Sequence, residues 1–145
     1  METMRAMHRR PALLGALILA LAALAGPARG GAEHGTVATH RLQVDLSEWA
    51  VVPSHGVVST GPLRLTVENF GRLRHELEIV PTERWGQKLP IQGGRAIGEA
   101  AAPPIVVAPG EKRSARVDLA PGFYVLLDNL RGHYAAGSAV AIVVA

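Results

Sequence analysis

Between residues 41 and 144 the chain repeatedly alternates apolar and polar positions with a period of two. Leu42, Val44 and Leu46 alternate with Arg41, Gln43 and Asp45. Leu63, Leu65 and Val67 alternate with Arg64, Thr66 and Glu68, and Ala115, Val117 and Leu119 with Ser114, Arg116 and Asp118. This is the pattern of strands that keep one face on a core. The runs Ile105–Ala108, Phe123–Leu127 and Ala139–Val144 are more continuously apolar and suit strands covered on both faces. Between the segments stands turn chemistry: Pro53-Ser54-His55-Gly56, Gly61-Pro62, Asn69-Phe70-Gly71, Pro109-Gly110 and Pro121-Gly122. Short strands broken this often predict an all-β chain, a β-sandwich of about seven to eight strands. The least regular stretch, residues 82–104, contains Gly86, Pro90, Gly93, Gly94 and Gly98 and predicts a long crossing loop with one short helical turn.

The N-terminus follows another logic. Arg5, Arg9 and Arg10 precede an almost uninterrupted apolar run of fourteen residues, Ala12 to Ala25, and small residues follow at Ala28, Gly30 and Ala32. Residues 1–30 therefore read as a secretory signal peptide, and residues 31–145 as one mature domain. The run is short of the roughly 20 residues a comfortable membrane span needs, and no second such run follows it. The alternative is an uncleaved N-terminal anchor. The arginine pair in His8-Arg9-Arg10-Pro11 does not by itself decide the export route. The expected location is periplasmic or secreted, with no membrane span after signal removal.

Charge changes the picture once the signal is set aside. The whole 145-residue chain carries a formal +3, but residues 1–30 hold four arginines and one glutamate. What remains has 11 basic and 11 acidic side chains, a net of zero. No basic stripe with interleaved aromatics is left, so no nucleic-acid partner is expected. The chain contains no cysteine. That excludes disulfide scaffolds, thiolate zinc sites, iron–sulfur clusters and cysteine nucleophiles.

Candidate chemistry is left to histidines and carboxylates. His34 and His40 lie near the mature N-terminus and read as solvated, and His55 reads as a turn residue. In His75-Glu76-Leu77-Glu78-Ile79, alternation puts His75 on the face of Leu77 and Ile79. A histidine there needs a hydrogen-bond partner or a metal, and on the residues alone a satisfied core histidine is the favoured reading. His133 lies in the segment from Asp128 to Ser138, a loop between two apolar strands, where sites commonly sit. If His75 begins its strand at the same end, both imidazoles and Asp128 can converge. Two histidines and a carboxylate suit zinc or copper(II), although the bare pattern is not specific.

At these residues the sequence resembles the cupredoxins, the small blue-copper β-sandwiches of the plastocyanin and azurin type. Val44-Asp45-Leu46-Ser47-Glu48-Trp49, then Val67-Glu68-Asn69-Phe70-Gly71 before His75-Glu76-Leu77, is similar to the half that bears their first ligand. Pro121-Gly122-Phe123-Tyr124-Val125-Leu126-Leu127, followed by Gly132-His133-Tyr134-Ala135-Ala136-Gly137, is similar to their ligand loop. The resemblance covers nearly all of residues 31–145 and implies a cupredoxin-like Greek-key sandwich. It implies that His75 and His133 occupy the positions of the two ligand histidines, with Asp128 in the cysteine place and Ser138 in the methionine place. It also implies that the Asn69 side chain ties the two ligand segments together.

Without the thiolate that gives blue copper its colour and potential, electron transfer of the plastocyanin kind is not expected. Two readings remain. In one, His75, Asp128 and His133 bind copper or a similar divalent ion without a thiolate, in copper handling or in assistance to an exported copper enzyme. The partner would then be an exported copper protein or a membrane oxidase. In the other, the metal is lost and the fold serves as a structural or interaction module. Retention of both histidines opposite a carboxylate favours the first. No enzymatic activity is expected, because the chain offers one possible site, no nucleophile–base pair and no nucleotide loop.

Overall fold

The computed structural model describes residues 39–145. The signal expected at 1–30, the start of the mature domain and His34 lie outside the described residues. The described residues form eleven strand segments and no helix: β1 Arg41–Ser47, β2 Ala50–Pro53, β3 Val57–Val58, β4 Gly61–Asn69, β5 His75–Thr82, β6 Ile91–Gln92, β7 Arg95–Ala96, β8 Ile105–Val107, β9 Lys112–Leu119, β10 Gly122–Asp128 and β11 Ala139–Val144. Three of these are two-residue pairings; of the other eight, seven are the strands that the alternation and the apolar runs predict, and Ala50–Pro53 is an additional one.

One sheet has the order β2-β1-β4-β9 and the other β3-β11-β10-β5-β8. β1 runs parallel to β4 with Leu42 opposite Leu65 and Val44 opposite Val67, so the apolar sets of both strands land on one face. That face meets Leu77 and Ile79 of β5, Tyr124 and Leu126 of β10, and Ile142 and Val144 of β11 in one continuous core. Each such Leu or Ile contributes on the order of 1.5–3 kcal/mol by leaving water. The Tyr124 hydroxyl donates to the Ala120 carbonyl at 2.8 Å and pins the turn that enters β10.

β10 is buried on both faces, as its unbroken apolar run predicts. Tyr124 to Asp128 are all buried, and Val125 and Leu127 join Val80 and Ala96 in a second, smaller core. β11 and β8 depart from that expectation. Only Ile142 and Val144 of β11 and Val107 of β8 are buried, because β8 is an edge strand and β11 is flanked on its outer side only by the two-residue β3.

The stretch 82–104 also differs from its expected form. It holds no helical turn, and instead β6 and β7 make a small hairpin across Gly93 and Gly94. Both glycines have positive φ, 59° and 80°, the backbone a two-residue hairpin turn requires at its central positions. The segment lies over the outer face of β5 and β10 through Ala96 and Leu89. The Leu89 N–H donates to the Tyr134 hydroxyl at 2.8 Å, which ties this cover to the loop before β11.

Candidate metal centre

His75 is the first residue of β5 and Asp128 the last of β10, and the two strands are antiparallel neighbours with Asp128 opposite Leu77. Both residues therefore stand at the same end of the sandwich. Alternation gives each an inward direction: His75 shares a face with Leu77 and Ile79, and Asp128 with Tyr124 and Leu126. Both are completely buried.

The loop from Asp128 to Ser138 brings in the third group. The Asp128 N–H donates to the Ser138 carbonyl at 3.0 Å and closes the loop at its base. Inside it, consecutive turns form through His133 N–H to Leu130 carbonyl at 3.0 Å and Ala136 N–H to Gly132 carbonyl at 3.0 Å. Gly132 and Gly137 supply positive φ of 86° and 104°, which carries the chain around His133. The His133 ring turns inward and lies 5.5 Å from the His75 ring, centroid to centroid.

The two imidazoles meet on one carboxylate. Nδ1 of His75 lies 2.6 Å from Oδ2 of Asp128, and Nδ1 of His133 is bonded to the same oxygen. Oδ1 accepts from the backbone N–H groups of Glu76 at 3.0 Å and Leu130 at 3.2 Å. Burial pushes the Asp128 carboxyl up, but the hydrogen bonds from His75, Glu76, His133 and Leu130 outweigh it, and the pKa is lowered. Asp128 is thus held as a carboxylate between the two imidazoles.

Around this centre stand groups that the sequence did not single out as site residues. Asn129 is buried; its Oδ1 accepts from the Ala96 N–H at 2.7 Å, and its Nδ2 donates to Glu78 at 3.0 Å and to the Ala96 carbonyl at 3.2 Å. It locks the start of the loop to β7 and β5. Trp49 lies edge-on against His133, with centroids 5.2 Å apart, while leaving 54% of its own surface exposed. Its φ of 66° is unusual for a bulky residue. Glu48 accepts through Oε1 from the N–H groups of Arg72 and of Leu73, the latter at 2.9 Å, and so braces the turn before His75. Its own backbone N–H, and then those of Arg72 and Leu73, hold its carboxyl below the ordinary value. Asn129 carried one legible signal, a polar residue immediately after a buried apolar run.

Asn69 differs from the role that the resemblance implies. Its Nδ2 donates to the carbonyls of Leu73 at 2.7 Å and Val107 at 3.1 Å, and its Oδ1 accepts from Gly71 N–H at 2.8 Å. It holds the turn before β5 to itself and to β8, and does not bridge to the Asp128 loop. Asp128 and Asn129 make that bridge instead, through Glu76 N–H to Asp128 and Asn129 N–H to the Glu76 carbonyl at 2.9 Å. His40 and His55 are exposed and outside the cluster.

His75, Asp128 and His133 each offer one ligand atom, and these atoms all lie within 4.8 Å of one another. Two imidazole nitrogens and a carboxylate oxygen are a donor set for a borderline divalent ion such as copper(II) or zinc. Ser138 is fully buried and its hydroxyl has no hydrogen-bond partner among the described residues. The residues present therefore fit a small divalent ion. They do not fit a blue-copper centre, since neither sulfur ligand exists.

No family model and no curated relative matches the chain. Solved structures do. The dithionite-reduced auracyanin of the photosynthetic bacterium Roseiflexus castenholzii superposes with a TM-score of 0.57 at 22% identity, over 74% of this chain and 98% of that one. The fold is that of the cupredoxins. Auracyanin B gives 0.53 at 18% identity over 72% and 88%. Rusticyanin from Thiobacillus ferrooxidans gives 0.51 at 16% identity over 74% and 79%. At these identities the likeness to cupredoxins establishes the fold alone. Among the described residues no helix is long and apolar enough to cross a membrane.

Proposed function

We propose that this is an exported cupredoxin-fold protein that binds copper(II), or a similar divalent ion, through His75, Asp128 and His133 without a thiolate. The observation that carries the reading is the convergence of both Nδ1 atoms on Asp128 Oδ2 in a buried end of the sandwich. Three groups of the right type already face one another, so an ion could take the place of the two hydrogen bonds that join them, with each ring proton carried on Nε2. When bound, the ion supplies a hard, nitrogen- and oxygen-ligated copper(II) centre. Rusticyanin, a solved structure with this fold, is described as a copper protein.

The role we propose is copper handling or assistance to an exported copper enzyme, with an exported copper protein or membrane oxidase as partner. We propose binding rather than catalysis, because among the described residues no nucleophile is hydrogen-bonded to either imidazole of the cluster. A second reading, a metal-free structural module, is favoured by one observation: Asp128 accepts four hydrogen bonds and needs no ion to be satisfied. Equilibrium dialysis of the mature protein against copper(II) separates the two. One bound ion per chain supports the first reading, and none supports the second.

A further inference from the structure

The Nε2 atom of His75 is buried and has no hydrogen-bond partner among the described residues. While Nδ1 carries the ring proton and donates to Asp128, Nε2 holds a lone pair and can remain without a donor. If Nδ1 instead gives its lone pair to a metal ion, the proton of the neutral ring must move to Nε2. That N–H then lies buried and needs an acceptor.

One carboxylate lies near it. Oε1 of Glu48 is occupied by the N–H groups of Arg72 and Leu73, while Oε2 takes part in no hydrogen bond among the described residues. A Cβ built on Gly71 would lie 2.8 Å from Oε1, from Oε2 and from His75 Nε2 alike. All three atoms thus surround one point, which stays open because residue 71 has no side chain. Gly71 is not among the residues of positive φ, so the reason for glycine here is space and not backbone conformation.

We propose that Glu48 is the positioning residue for His75, accepting its Nε2–H through Oε2 and thereby fixing the tautomer that presents Nδ1 to the ion. The inference rests on the metal-binding reading above. It assigns Gly71 a role as well, keeping the path from Nε2 to the carboxylate clear.

The test is Glu48→Gln. The backbone N–H groups of Arg72 and Leu73 hold the amide oxygen, so the turn stays braced and the NH2 group is directed toward Nε2. A donor there favours the ring proton on Nδ1, the form that cannot bind an ion. Expected are an unchanged melting temperature, a dissociation constant for zinc(II) and copper(II) raised about 10–100-fold, as for loss of an outer-shell partner, and a 15N spectrum of His75 showing loss of the Nε2-protonated form in the zinc-loaded protein. Gly71→Ala should weaken binding in the same direction. Glu48→Gln protein with wild-type affinity and wild-type His75 shifts overturns this inference and leaves the metal-binding reading standing. Wild-type protein that takes up neither zinc nor copper overturns both.

Discussion

Nδ1 of His75 and Oδ2 of Asp128 lie 2.6 Å apart, although 53 residues separate them in the chain. The contact joins the first residue of β5 to the last of β10, and the His133 ring meets the same oxygen from the following loop. One buried carboxylate oxygen therefore holds two imidazoles in place. Its other oxygen is fixed by two backbone N–H groups, which leaves the carboxylate little freedom to turn away.

If this cluster is the metal site, the imidazoles should not be interchangeable with other side chains. His75→Ala or His133→Ala is expected to weaken copper(II) binding by at least about tenfold, the low end for losing even a supporting group. The double variant should bind no copper in the micromolar range, as read by competition with a chromophoric chelator. Unchanged affinity in the double variant would move the site to other histidines.

In the reading proposed above, Asp128 stands in the place of the thiolate of a blue-copper site, within 4.8 Å of both imidazoles. Asp128→Cys, alone or with Ser138→Met, should give strong visible absorption on addition of copper(II), because the copper–thiolate bond supplies the colour. Most of the effect should come from the cysteine, since the axial thioether bond is long and weak. A folded variant that binds copper through both histidines yet stays colourless would mean that position 128 does not face the ion.

The same carboxylate makes stability depend on pH. Its pKa is lower in the folded protein than in the unfolded chain, where it takes the ordinary value. The unfolded state therefore takes up a proton first as pH falls. The stability from this group is full above the ordinary carboxylate range and is lost as pH falls through that range toward the folded value. Urea midpoints of metal-free protein should decline over this acid window, and Asp128→Asn should be weaker at neutral pH but flatter through it. A variant whose midpoint falls as steeply as wild type would assign the acid sensitivity to other groups.

Much of this architecture was legible in the sequence because it rests on local periodicity. Leu42, Val44 and Leu46, then Leu63, Leu65 and Val67, are buried as their alternation requires. His75 shares the inward face of Leu77 for the same reason. The turn glycines mark where the ligand loop bends. What the sequence concealed is non-local. Glu48 braces a turn 24 residues away, and Asn129 reaches Ala96 across 33. No spacing rule links such pairs. The hairpin of β6 and β7 is not legible in the sequence, because Gly93-Gly94 lies among enough other turn residues to look like plain loop.

That hairpin segment carries a prediction of its own. A Cβ on Gly98 would lie 2.5 Å from Cγ1 of Val80, a residue of the smaller core. Gly98→Ala is expected to destabilise the fold by about 1–3 kcal/mol through overpacking, and a lower melting temperature by calorimetry would register it. An unchanged melting temperature would show that the cover over β5 and β10 yields freely.

Whether the two imidazoles and Asp128 hold one copper(II) ion can be read from electron paramagnetic resonance of the mature protein with one equivalent of copper(II). Expected are a single mononuclear species with hyperfine structure from two imidazole nitrogens, no intense blue band, and loss of that signature in the double variant His75→Ala, His133→Ala. A copper spectrum identical in wild type and double variant, or one indistinguishable from copper(II) in buffer, would contradict binding at these three residues.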